Sequence, residues 1–203
     1  DAPSEARSCG DDLRRSEGEA AGSCAALPAK VDGAGAAMKW TAFYLDTEFN
    51  EAPGRLDLIS IGIVDEEGRE FYAVSSEFDP SACNDFVRTH VLANLGDGPR
   101  ETHAQIRTRL LAFVGDRRPR WWTYFGAYDH VLLCWLFGAM VDLPRGWPMH
   151  TMDLKQAMVE RGLRESDMPR KPKGAHNALV DARWNKAAHE KIRKYGVLAS
   201  EVL

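Results

Sequence analysis

Five residues in this 203-residue chain have the types and spacing to do chemistry together. Asp46 and Glu48 stand in Tyr44-Leu45-Asp46-Thr47-Glu48-Phe49, Asp129 in Phe125-Gly126-Ala127-Tyr128-Asp129-His130, and His176 and Asp181 in His176-Asn177-Ala178-Leu179-Val180-Asp181. Residues i and i+2 of a strand share a face, so Asp46 and Glu48 project together at the end of a strand. Two like charges side by side are costly to bury unless a cation shares them. Oxygen ligands suit a hard divalent ion such as Mg²⁺ or Mn²⁺. Read singly, each piece has a bland alternative: solvated charges at a strand terminus for Asp46 and Glu48, an N-cap for Asp129, a surface histidine beside a basic linker for His176. Together, four carboxylates and an imidazole are the parts of a two-metal phosphodiester hydrolase. In such enzymes two cations about 4 Å apart clamp the attacking and leaving oxygens while a histidine takes the water's proton.

Positioning these groups requires a sheet with helices laid across its ends. The pattern predicts strands over Lys39–Asp46, Leu58–Asp65 and Arg69–Ser75, with the turn Glu66-Glu67-Gly68 between the last two, an antiparallel meander. A fourth strand is expected over Arg120–Phe125 and a short one near Met149–Met152. Helices are expected over Cys83–Leu95, Thr102–Val114, Tyr128–Met140, Leu154–Gly162 and Asn177–Tyr195. Ile106, Leu110, Leu111 and Val114 make one stripe of the second helix, whereas Tyr128–Met140 is apolar enough to be read as buried. Ala178, Leu179 and Ala182 give the last helix a small apolar face that lets it lie close to the sheet. Asp181 then falls one turn inside it, and His176 precedes it on a loop. Meander, then alternating helices and strands, is a mixed-sheet α/β domain.

Composition narrows the classes. With 44% hydrophobic residues the chain is globular, and its apolar runs are too short for a membrane span. Cys9, Cys24, Cys83 and Cys134 have no metal or disulfide spacing, so a reducing cytoplasm is the expectation. Residues 151–195 carry 11 Lys/Arg against 6 Asp/Glu in a protein of net charge −4, which is compatible with a phosphate-bearing partner but is by itself weak evidence, since exposed helices are often rich in Lys and Arg simply because they are solvated. Residues 1–37 hold 15 Ala or Gly, no aromatic residue and no apolar run of a signal peptide. They read as a disordered leader to a domain spanning 38–203, whose first methionine is Met38.

The three acidic motifs resemble those of the DEDDh 3′-to-5′ exonucleases. The blocks YLDTEF, LISIGIV, GREFYAVSSEFDP, VRTHVL, FGAYDHV and HNALVDAR are similar to the bacterial polyadenylate-specific 3′-exoribonuclease AS family, over roughly Met38 to Lys194. The resemblance implies a ribonuclease-H-like α/β fold, with a mixed five-stranded sheet flanked by helices. It also implies a homodimer that degrades single-stranded, adenylate-rich RNA from its 3′ end to nucleoside 5′-monophosphates. By the same resemblance Asp46, Glu48, Asp129 and Asp181 would bind two divalent cations, Mg²⁺ or Mn²⁺, and His176 would be the general base. Thr47, Glu48 and Phe49 would hold the terminal nucleotide. Many members of the superfamily carry Asn where this chain has Phe125, a departure shared with the ribonuclease AS group. An exonuclease for short oligonucleotides or DNA, and an RNA-binding module without catalysis, are the alternatives.

Overall fold

The computed structural model describes residues 39–96 and 100–196; the expected leader, residues 1–37, lies outside them. Six strands form one sheet, β1 (Trp40–Ala52), β2 (Arg55–Asp65), β3 (Glu70–Ser75), β4 (Arg100–Glu101), β5 (Arg118–Thr123) and β6 (Met152–Asp153), in the spatial order β4-β3-β2-β1-β5-β6. The meander β1-β2-β3 is antiparallel, and β4, β5 and β6 each pair in parallel. The sheet thus has six strands where the sequence suggested five. The addition, β4, is two residues long, too short for any alternation to register, and exists through its pairing with Val74 and Ser75.

Helices α1 (His103–Val114), α2 (Ala127–Trp135), α3 (Leu154–Val159) and α4 (Ala178–Ile192) sandwich the sheet. Phe43, Leu45, Ile61, Ile63 and Trp121 meet Ile106 and Leu110 of α1 and Leu132 and Leu133 of α2 in the main core. On the other face α3 and α4 enclose Leu154, Met158, Trp184, Ala188 and Ile192. Thr102 starts α1 through a reciprocal capping box with Gln105, and Asn177 caps α4 by accepting from the N–H groups of Leu179 and Val180.

Two helices differ from expectation. The stretch expected as a helix over Cys83–Leu95 is a π-helical turn (Val87–Val91) followed by a 3₁₀ turn (Leu92–Asn94). Two β-branched valines make a weak helix, and its course follows Cys83, Val87 and Val91 onto Ile59, Val74 and Phe78. Helix α2 stops at Trp135, short of Met140, and only one side of it is buried; Trp135 is 53% exposed. Gly138, at φ 123°, cannot continue it. Among the described residues no helix is long and apolar enough to cross a membrane.

Candidate active site

The site begins where β5 stops accompanying β1. Their parallel pairing ends at Tyr44 and Trp122, yet β1 continues to Ala52, paired with β2 alone and shifting register between Glu48 and Phe49. Asp46 and Glu48 therefore lie inside a long strand, not at its terminus as the sequence suggested. What ends at this point is the neighbouring strand, and the gap opens a cleft beside them. Ligand sites in open α/β sheets form at such carboxyl ends of parallel strands.

Asp181 reaches the same place because α4 presses on β2. Gly62 is the strand partner of Asp46, and a Cβ built on it would stand 2.2 Å from the carbonyl carbon of Ala178. With no side chain at Gly62 and a small one at Ala178, the first turn of α4 touches the sheet, as the alanine-rich face suggested. Carboxylate oxygens of Asp46, Glu48 and Asp181 consequently lie within 4.8 Å of one another. Asp129 is buried in the first turn of α2. Its Oδ1 accepts from the Thr47 N–H at 2.8 Å and from the Thr47 hydroxyl at 2.6 Å. Gly126 holds the N-cap position of α2, so the capping alternative for Asp129 does not apply.

Burial is the largest influence on Asp46, Glu48 and Asp129. It pushes Glu48 up to about 8, with Asp181 and Asp129 adding repulsion. Asp129 is pushed up to about 7, the burial outweighing the two Thr47 hydrogen bonds that favour its charge. Asp46 is raised well above the carboxylate range by burial and then by Asp129, Glu48 and Asp181. Among the described residues a single ammonium group answers them: Lys171 Nζ lies 3.0 Å from Asp181 Oδ1. The other Asp181 oxygen accepts from the His176 N–H at 2.8 Å. Such a donor set, all carboxylate and short of positive charge, fits a divalent cation.

The cleft has a volume of about 580 Å³, and its lining includes Phe49, Phe86, Val87, Tyr128, Lys171 and His176. Phe49 packs on Tyr128 with ring centroids 5.2 Å apart, and Tyr128 donates its hydroxyl proton to Glu51 at 2.7 Å. His176 has a left-handed backbone, φ 68°, held by its N–H bond to Asp181. Its exposed ring meets Phe86 at 5.3 Å and His90 at 6.0 Å. Every residue singled out in the sequence thus lines one cleft, but they stand differently. Asp46, Glu48 and Asp181 converge, Asp129 is tied to Thr47, and the His176 ring rests on the aromatic rim. Lys171 and Phe86 were not foreseen: Lys171 sat in a linker read for its overall charge, and Phe86 in a segment read as helix.

Known proteins are similar to this chain in sequence and in fold. Residues 41–193 match the family described as the 3′-5′ exoribonuclease Rv2179c-like domain. Two curated Mycobacterium tuberculosis proteins, 3′-5′ exoribonuclease Rv2179c (strain H37Rv) and 3′-5′ exoribonuclease MT2234.1 (strain CDC 1551), are each 42% identical over 164 residues, covering 78% of this chain and 93% of the relative. Among solved structures, a zinc-bound complex of Escherichia coli exonuclease I with single-stranded DNA has a TM-score of 0.56 at 14% identity. A second exonuclease I structure has a TM-score of 0.52 at 13% identity. Both cover 77% of this chain, which spans only 41% of exonuclease I, and they show the shared fold alone. With three quarters of the chain matched by the family model and relatives 42% identical over 93% of their length, the protein belongs to the Rv2179c-like 3′-5′ exoribonuclease family.

Proposed function

We propose that the cleft hydrolyses single-stranded, adenylate-rich RNA from its 3′ end and releases nucleoside 5′-monophosphates. The observation that carries this reading is the convergence of Asp46, Glu48 and Asp181 within 4.8 Å, with Asp46 and Glu48 in surroundings that favour their protonated forms unless a cation joins them. Asp46, Glu48, Asp129 and Asp181 would hold two Mg²⁺ or Mn²⁺ ions. When bound, these ions supply Lewis-acid polarisation of the phosphate and acidify the attacking water.

The remaining work falls to the protein's own groups. Thr47 fixes Asp129 through two hydrogen bonds, leaving Asp129 Oδ2 for the site. His176 takes the proton of the attacking water. Its backbone bond to Asp181 ties the loop to the acids, and its ring stands at the open rim where a water and the RNA 3′ end arrive together. Phe49, braced by Tyr128, is the face against which the terminal base stacks, and Glu48 and Thr47 meet the ribose with its 2′-hydroxyl. Lys171 adds a cation for the phosphate. The same reading includes a homodimer, which light scattering on the eluting protein checks.

The decisive experiment is incubation of 5′-labelled RNA homopolymers with the protein and Mg²⁺, with EDTA as control. A ladder shortening from the 3′ end, fastest on poly(A), slow on DNA of the same sequence and absent with EDTA, is the expected result. Equal rates on poly(A) and poly(C) would refute the adenylate preference. No shortening with either Mg²⁺ or Mn²⁺ would leave an RNA-binding module.

A further inference from the structure

Phe125 is an anomaly that the reading above does not use. It follows β5 at φ 59°, a left-handed conformation costly for an aromatic residue, and its ring is 61% exposed. The conformation is enforced by its neighbours. The Gly126 N–H donates to Asp153 Oδ2 at 2.9 Å, and the same Asp153 caps α3 through the N–H groups of Lys155 and Gln156. Strain of this kind persists where the surroundings over-determine it, and it clusters at ligand clamps.

The ring stands on a partition. On one side is the acidic cleft; on the other is a second cavity of about 450 Å³, within the ~300–1,000 Å³ of ordinary ligand pockets. Tyr124, Phe125 and Lys171 line both. The second cavity is lined by the aromatic rings of Tyr124, Phe125 and Trp184, by the cations Arg170 and Lys171, and by Glu165, whose carboxylate is paired with Lys155 at 2.9 Å. Tyr124 and Trp184 pack edge to face at 5.0 Å, and the Trp184 indole N–H is fixed by donating to the Pro169 carbonyl at 2.8 Å. Lys171 Nζ lies 3.8 Å from the Trp184 ring centroid, and Arg170 lines the cavity beside it.

We propose that this second cavity is a nucleotide subsite of the RNA path. It seats the nucleotide immediately upstream of the cleaved bond, with that base stacked on Phe125 and its backbone carried past Lys171 and Arg170. The inference rests on the exoribonuclease reading and extends it. A 3′-terminal nucleotide lodged against Phe49 has its upstream neighbour leaving through the wall both cavities share, and that wall presents an aromatic face and an ammonium group. A stacking platform with a cationic rim is the combination that holds single strands without reading sequence.

The experiment compares steady-state cleavage of a 5′-labelled A6 RNA by wild type, Phe125→Ala and Phe125→Trp, together with inhibition by 5′-AMP, which fills only the terminal position. Losing one stacked base raises KM for A6 roughly 5- to 150-fold. The Ki of 5′-AMP and the melting temperature stay unchanged in Phe125→Ala, and Phe125→Trp restores KM. An abasic ribose at the penultimate position of the RNA impairs wild type by a similar factor and adds nothing to Phe125→Ala. An unchanged KM in Phe125→Ala overturns the subsite, as does a parallel rise in KM and in the Ki of 5′-AMP, which would place Phe125 in the terminal pocket. Wild type that fails to cleave A6 overturns the exoribonuclease reading itself.

Discussion

Without divalent cations, wild type should lose stability relative to Glu48→Gln as the pH rises from 6 to 8. Glu48 titrates near 8 in the folded chain, against an ordinary 4.5. A carboxyl whose pKa is raised by folding favours the native state at low pH, and that advantage is lost as pH rises from the unfolded value through the folded one. Between pH 6 and pH 8 the loss amounts to about 2 kcal/mol for Glu48 alone. Asp129, near 7, acts in the same direction. His189 opposes them, since burial lowers it to about 4 and folding then excludes a proton that the unfolded chain binds at pH 6, a term of about 1 kcal/mol. The difference between wild type and Glu48→Gln cancels His189 and isolates the carboxyl. In EDTA, Glu48→Gln should therefore gain about 2 kcal/mol on wild type between pH 6 and pH 8, or roughly 4–8 °C in melting temperature for a domain of this size. Saturating Mg²⁺ should reverse the order at pH 8, because a cation shared by the acids stabilises wild type and has lost a ligand in the variant. The assay is thermal unfolding followed by circular dichroism at both pH values, with EDTA and with Mg²⁺. A wild-type-minus-variant difference equal at the two pH values would refute the claim that Glu48 is held protonated by burial and by its acidic neighbours.

Asp129→Asn should lower cleavage by at least about 100-fold. The amide oxygen can still accept from Thr47, so circular dichroism and melting should match wild type, and retained activity would assign Asp129 to structure alone. His176→Ala should reduce kcat by about 10²–10⁴-fold while changing the affinity for RNA little; an equal loss in both would make it a binding residue. Gly62→Ala should cost about 3 kcal/mol or more, since the new methyl meets the Ala178 backbone at 2.2 Å, and calorimetric titration should show weakened Mn²⁺ binding as α4 carries Asp181 away. Lys171→Met should tighten Mn²⁺ binding several-fold by removing the ammonium that occupies Asp181, and unchanged affinity would show that the two cations do not compete.

The parts of the site were legible in the sequence to the extent that periodicity determined them. Asp46 and Glu48 share a face because a strand alternates, and Asp181 lies in the first turn of a helix that Asn177 caps. The close approach of that helix was readable from its alanines, although its counterpart, Gly62, was not. Features built by tertiary contact left no such trace. Strand β4 is defined by what it pairs with, and the π-helical turn at Val87–Val91 by what it packs on. The left-handed backbones at Phe125 and His176 run against the preferences of both residue types and come from hydrogen bonds to Asp153 and Asp181. Lys171 looked like one charge among many until the linker brought it to Asp181.

The same antiparallel pair shows that this fold can satisfy a buried carboxylate fully when nothing else is asked of it. Asp65, fully buried at the far end of β2, accepts from the N–H groups of Glu67 and Arg69 through one oxygen. Its other oxygen accepts from the guanidinium groups of Arg69 and Arg117, at 2.7 and 2.8 Å. Further along the same pair, around Asp46 and its partner Gly62, the acids Asp46, Glu48, Asp129 and Asp181 gather, with Lys171 paired to Asp181 as the one cation in contact with them among the described residues. Removing a partner from a buried charge that depends on it typically costs about 3–5 kcal/mol, so the Asp65 arrangement is the stabilising one and the second cluster is not. Two arginines placed near Glu48 would relieve it, yet they would also fill the cleft and compete for the oxygens. The charge imbalance is thus what a cation site requires: donors already desolvated and already assembled, at the expense of the metal-free fold. Asp65→Asn and Glu48→Gln should accordingly move stability in opposite directions in EDTA at pH 8, the first downward and the second upward. Finding both destabilising would show that the acidic cluster is a structural network like the one around Asp65.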